Sequence, residues 1–161
     1  MVKTNVDYYY PREQVEKVVG FTASAWDLFH TGHVLFLKEA KKVCDHLIVG
    51  LHVNPRIERD SKNKPIQSIY ERYTQLEGCK YVDEIIVYET ENDLINILKT
   101  RDINVRFLGS DYAGKESLIT ASSLVPIHYI SRNHSFSSSE LRKRIAENDT
   151  DSRPTRKDLW G

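Results

Sequence analysis

Two histidines three positions apart, His30 and His33, with Gly32 between them, follow an apolar run, Val18-Val19-Gly20-Phe21. They precede a helical pattern, Val34-Leu35-Phe36-Leu37-Lys38-Glu39-Ala40. A strand handing over to a helix is the usual ligand crevice of an open parallel sheet. The helix start offers free backbone N–H groups and the positive end of the macrodipole, both suited to phosphate. Gly32 removes a side chain where a phosphate would approach the backbone. His30 and His33 add donors whose charge can adjust near neutral pH. Zinc fits this pair less well, because helical zinc pairs want a spacing of four and a third ligand.

A second group of anion-binding residues lies about a hundred residues on. Arg132 precedes the run Ser137-Ser138-Ser139-Glu140. Serines at a helix start present hydroxyls and free N–H groups together, and an arginine can fork onto a phosphate. Between the two groups, residues 54–65 form a polar stretch carrying Arg56, Arg59, Lys62 and Lys64.

The elements that must position these groups alternate. Strands are expected at about residues 17–23, 46–53, 84–88, 105–108 and 126–130. Helices are expected at 31–43 and 69–78, from the Thr90/Asp93 start, and from Ser137 to about Glu147. Ser68/Glu71 and Ser137/Glu140 have capping-box spacing. The alternation predicts one α/β domain, a Rossmann-like doubly wound parallel sheet of about five strands with helices on both faces and right-handed crossovers. It covers residues 17–147, with an extension over 1–16 and a polar tail over 148–161. The extension carries Tyr8-Tyr9-Tyr10 and reads as packing against the domain or a partner subunit.

A chain of 161 residues supports a single core. Lys plus Arg equals Asp plus Glu, 23 each, so no global basic field favours nucleic acid. No apolar run reaches membrane-span length, and the start Met1-Val2-Lys3-Thr4-Asn5 lacks a signal-peptide core, so a cytoplasmic protein is expected. Cys44 and Cys79 are small packing residues rather than a disulfide framework.

Asp27-Leu28-Phe29-His30-Thr31-Gly32-His33 resembles the D-x-x-H-x-G-H signature of the nucleotidyltransferase superfamily. Within it, the sequence is most similar to the cytidylyltransferases, the glycerol-3-phosphate cytidylyltransferases in particular. Ser131 to Leu141 resembles the family's R-x-x-x-I-S-[ST]-T-x-I segment, with Arg132, Phe136, Ser137 and Ser138 on the matching positions. Tyr70-Glu71-Arg72 resembles its E-R pair, Lys80-Tyr81-Val82-Asp83-Glu84 its R-Y-V-D-E run, and Leu108-Gly109-Ser110-Asp111-Tyr112 its G-D-D-[WY] loop. The resemblance spans about residues 18–145. There are departures: the family's G-T-F-D stands here as Ser24-Ala25-Trp26-Asp27, its K-G-K-K-P as Ser61-Lys62-Asn63-Lys64-Pro65, and Ser110 replaces the first aspartate of G-D-D.

The resemblance implies transfer of CMP from CTP to a phosphorylated small alcohol, glycerol 3-phosphate first among them, with release of pyrophosphate. The alternatives are an adenylyltransferase acting on a sugar phosphate such as heptose phosphate, or a nucleotide-binding module without turnover. His30 and His33 fall at the α- and β-phosphates, Lys62 or Lys64 between the α-phosphate and the incoming phosphate, and Arg132, Ser137 and Ser138 at the β- and γ-phosphates. Ala25, Trp26 and Gly32 complete the triphosphate loop, while Ser110, Asp111 and Asn133 lie toward base and ribose. Arg72 and Lys80 are assigned to the acceptor. Selection of cytosine would come from a small pocket around 109–112 and Arg132-Asn133, where a purine needs more room. Mg²⁺ is expected with the triphosphate, its ligands unassigned, and Asp27 orients the loop. The resemblance also implies a homodimer, with no nucleic-acid or membrane partner.

Overall fold

The structure is a computed structural model that describes residues 16–148. The Tyr8-Tyr9-Tyr10 cluster, on which the dimer expectation leans, lies outside the described residues, as does most of the C-terminal tail.

Five strands, β1 (Val19–Ser24), β2 (His46–His52), β3 (Glu84–Tyr88), β4 (Val105–Gly109) and β5 (Ile127–Ile130), form one sheet in the order β3-β2-β1-β4-β5. All four neighbouring pairs are parallel. The expected Rossmann-like architecture is therefore present, and the strand order reverses between β1 and β4. The helices are α1 (Thr31–Val43), α2 (Ile69–Glu77), α3 (Glu91–Thr100) and α4 (Ser138–Glu147).

Strand β2 explains why helices cover both faces. It is buried from Leu47 through His52, so both sides of its pleat need apolar cover. Leu47, Val49 and Leu51 pack with Leu37 and Ala40 of α1 and Leu76 of α2. Ile48 points the other way, into a cluster with Phe21, Leu94 and Leu98 of α3. Each fully buried leucine contributes about 1.5–3 kcal/mol relative to an exposed one. At Gly20 an added Cβ would lie 2.5 Å from the Phe107 ring and 2.8 Å from the Cys44 sulfur. The backbone approaches that closely only because glycine stands there, and Cys44 is the packing residue expected of it.

Element ends shift for identifiable reasons. Strand β1 starts at Val19 because Val18 N–H donates to Asp45 (2.8 Å) and Val19 N–H to Asn104 (2.7 Å), side chains rather than a neighbouring strand. Gly78 caps α2 instead of extending it. Ser137 is the N-cap of α4, accepting from Glu140 N–H at 3.1 Å, rather than its first residue. Thr90 and Asp93 form the capping box that starts α3. No helix among the described residues is long and apolar enough to cross a membrane.

Candidate active site

The turn after β1 is held in an unfavourable conformation from several sides. Trp26 and Leu28 both have φ of 51°, the left-handed region, where a non-glycine residue costs of order 1–3 kcal/mol. The Trp26 indole N–H donates to Gly50 O at 2.9 Å, with its ring in the core. Leu28 N–H donates to Gln67 Oε1 at 2.8 Å. Between them the Asp27 carboxylate, only 5% exposed, accepts from Ile66 N–H and Gln67 N–H, each at 2.9 Å, and from Arg142 Nη2 at 2.7 Å. Asp27 thus ties the turn to the approach to α2 and to α4, which agrees with an orienting role.

That turn delivers His30 and His33 to the start of α1. His30 is the N-cap, and its Nδ1 accepts from Gly32 N–H at 3.0 Å. His33 Nδ1 accepts from His30 N–H at 3.4 Å, and the rings stack with centroids 3.8 Å apart. A nitrogen that accepts carries no proton, so both rings hold theirs on Nε2. Burial, His30 and Arg132 push the His33 pKa down to about 3, against a small upward pull from Asp27. Burial, then His134 and Arg132, lower that of His30. The expectation of a charge adjustable near neutral pH is corrected: without a bound anion both rings are neutral Nε2–H donors, since two stacked cations would repel.

The start of α4 lies against the start of α1. His30 Nε2 is 3.2 Å from Ser138 Oγ, whose hydroxyl donates to Asp27 O at 3.3 Å. An added Cβ on Gly32 would lie 2.8 Å from both the His30 ring and Phe136 O. Gly32 therefore admits the 131–137 segment onto the helix start, beside any room it leaves for phosphate. Two helix N-termini then face one crevice of about 1040 Å³, lined by His30, His33, Arg132, Ser137, Ser138 and Arg142 among others. Arg132 Nε lies 3.6 Å from Asp111 Oδ1, both folded over Gly109, where a Cβ would be 2.5 Å from Asp111 and 2.8 Å from Arg132.

Most residues assigned from sequence come together here. Ala25, Trp26, Gly32, Lys62 and Asn133 also line the crevice. The Trp26 ring is core and packs edge-on against His33, with centroids 5.3 Å apart. Lys64 is exposed and outside the lining, as are Ser110 and Asp111, the last reaching the site through Arg132. Two assignments are corrected. Arg72 is buried and does not meet substrate: its guanidinium donates to the carbonyls of Ala25 (2.9 Å), His52 (2.8 Å), Val53 (2.7 Å) and Gln67 (3.1 Å), clamping the ends of β1 and β2. Lys80 lies between α2 and β3, hence at the amino edge of the sheet, and rests over the Tyr81 ring at 5.3 Å. The sequence reading missed Arg142, although it lies four residues after Ser138 and so on the same face of α4. It also missed His134, whose buried Nδ1 has no partner among the described residues.

Asp27 is fully engaged, and no group of three His, Cys, Asp or Glu among the described residues could hold a metal ion. Mg²⁺ that arrives with a triphosphate needs no such cluster, since it keeps waters and phosphate oxygens as most of its ligands.

Residues 21–144 match the family described as Cytidylyltransferase-like. The bifunctional protein HldE of Campylobacter jejuni strain RM1221 is 31% identical over 139 residues, covering 84% of this chain and 29% of its own length. The chain thus spans less than a third of that relative. The FAD synthase of Thermococcus sibiricus is 33% identical over 60% of this chain and 65% of its own. A crystal structure of the lipopolysaccharide core biosynthesis protein from Thermoplasma volcanium superposes with a TM-score of 0.60 at 26% identity, covering 73% of this chain and 99% of that one.

Proposed function

The chain belongs to the cytidylyltransferase-like family, and from that premise we propose that it transfers an adenylyl group from ATP to the phosphate of a small sugar or polyol, releasing pyrophosphate. The observation that carries the transferase chemistry is the meeting of the α1 and α4 starts at His30 and Ser138. Two sets of free N–H groups and two Nε2–H donors converge where a triphosphate fits.

Relatives support adenylyl transfer better than the CMP transfer to glycerol 3-phosphate that the sequence reading put first. FAD, which the Thermococcus protein's name says it makes, contains an adenylyl group, and the Thermoplasma protein's title places it in lipopolysaccharide core biosynthesis. The argument for cytosine rested on a small pocket, whereas a crevice of about 1040 Å³ leaves room for a purine nucleotide and an acceptor.

In the proposed reaction an acceptor phosphate oxygen attacks the α-phosphorus in line. The bond from that phosphorus to the bridging oxygen breaks, and pyrophosphate leaves with the electron pair. An ionised phosphate needs no general base, so the protein positions two anions and stabilises charge. His30 and His33 donate through Nε2 to the α- and β-phosphates, Arg132 and the α4 start hold the leaving pyrophosphate, and Lys62 neutralises the approaching phosphate. A homodimer belongs to the same proposal.

Incubation with ATP, CTP and a panel of sugar and alcohol phosphates, followed by mass spectrometry, tests this reading. ADP-linked products support it. CDP-linked products return the cytidylyl reading, and nucleotide binding without product leaves a binding module.

A further inference from the structure

The crevice has a second wall that the nucleotide chemistry above does not use. Strand β4 sends Phe107 into the core beneath α1 and hence its neighbour Arg106 to the α3 side. Arg106 is only 6% exposed yet lines the crevice. Its Nη1 donates to Thr120 O at 2.6 Å, and no carboxylate pairs with it among the described residues. Glu91, on the same wall, is engaged by Arg59 at 3.0 Å and by the Thr120 hydroxyl. Tyr88 is 6% exposed and lines the same space. Its hydroxyl has no hydrogen-bond partner among the described residues, and burial together with Glu91 raises its pKa, so it stays a proton donor.

A buried guanidinium with no carboxylate in salt-bridge contact is costly, and burial lowers the Arg106 pKa, against an upward pull from the nearby Glu91 that Arg59 engages. Neither Arg106 nor Tyr88 counts among the sealed, partnerless atoms of the described residues, which are Gln75 Oε1 and His134 Nδ1. Their unused donors therefore open onto the crevice. A planar fork and a phenol donor lining the same crevice suit a phosphate. This wall belongs to the α3 side, whereas the triphosphate site is built on α1 and α4.

We propose that Arg106 and Tyr88 form a second anion subsite, which receives the phosphate of the acceptor. The assignment rests on the transferase reading, because that reaction requires a second phosphate in the same crevice. Arg106 sets which end of the acceptor enters, and Arg59 keeps the Glu91 carboxylate from repelling it.

The test titrates inorganic phosphate into protein saturated with a non-hydrolysable ATP analogue, by calorimetry. A further binding event is expected, weakened at least about tenfold in Arg106→Met and partly retained in Arg106→Lys. Absence of that event in the wild type, or equal binding by a folded Arg106→Met, overturns the subsite. Should Arg106→Met fail to fold, wild-type crystals soaked in tungstate decide. Anomalous density within hydrogen-bond reach of Arg106 supports the subsite, and density confined to the α1 and α4 starts overturns it. Phosphate bound at Arg106 without product formation refutes the transferase reading alone. Turnover with an unchanged acceptor KM in Arg106→Met refutes the subsite alone.

Discussion

His30 Nε2 and Ser138 Oγ meet at 3.2 Å across 108 residues of sequence, joining the starts of α1 and α4. Through the Ser138 hydroxyl the contact continues to Asp27 O. The position of the His30 ring therefore depends on a helix more than a hundred residues further on. Ser138→Ala removes the hydroxyl and leaves the fold, since Ser137 is the cap of α4. Turnover is expected to fall about tenfold to a hundredfold, with the melting temperature within a few degrees of wild type. Steady-state kinetics beside a thermal melt checks this, and unchanged turnover would detach α4 from the chemistry.

Asp27→Ala should be among the most destabilising substitutions in the site. It strands the Arg142 guanidinium and two backbone N–H groups at a turn with two left-handed residues. Removing one partner of a buried, hydrogen-bonded ion pair costs about 3–5 kcal/mol. Urea denaturation measures it. A loss below about 1 kcal/mol would mean the turn holds itself.

Arg72→Ala should behave as a core substitution, not a substrate-binding one. Several carbonyls lose their donor at once, and each unsatisfied buried group costs about 1–3 kcal/mol. Stability is expected to fall by several kcal/mol, and Arg72→Lys, which lacks the fork, should restore little of it. A stable Arg72→Ala with a raised acceptor KM would reinstate the substrate role.

The histidines carry a pH signature. The folded pKa of His33, about 3, lies below the ordinary imidazole value of 6.5. The unfolded chain therefore takes up its proton first as pH falls. The stability that neutral His33 contributes is complete above pH 6.5 and is lost progressively as pH drops from there toward about 3. In His33→Gln the slope of unfolding free energy against pH in that window should be shallower by about 1.4 kcal/mol per unit. Equal slopes would show that His33 is not held neutral. Because kcat/KM reports the free enzyme, its profile should stay level above neutrality. A tenfold fall per pH unit would require the cationic form.

The sheet was legible in the sequence because its buried strands announce themselves. The run His46 to Val53 can hardly be anything but a strand packed on both sides, and capping residues at Ser68 and Thr90 marked their helices. That His30, His33, Arg132 and Ser138 gather at one crevice was legible from type and spacing. Arg72 was not, because a charged residue on an amphipathic helix looks the same whether it reaches substrate or turns inward to collect backbone carbonyls. Arg142 and Arg106 were missed for the complementary reason: each acts through a partner distant in sequence, Asp27 or Thr120, which no local pattern reveals. Lys80 shows that a motif match says nothing about which edge of the sheet a loop occupies until the strand directions are fixed.

Pyrophosphate release, measured with each of the four nucleoside triphosphates and a panel of sugar and alcohol phosphates, tests the central claim most directly, with His33→Ala as the control. ATP with a sugar or polyol phosphate should support release, at least about tenfold faster in kcat/KM than CTP. His33→Ala should lower it by about 10²–10³ while remaining folded. Release that survives in His33→Ala, or no release from the wild type with any triphosphate, would contradict the account.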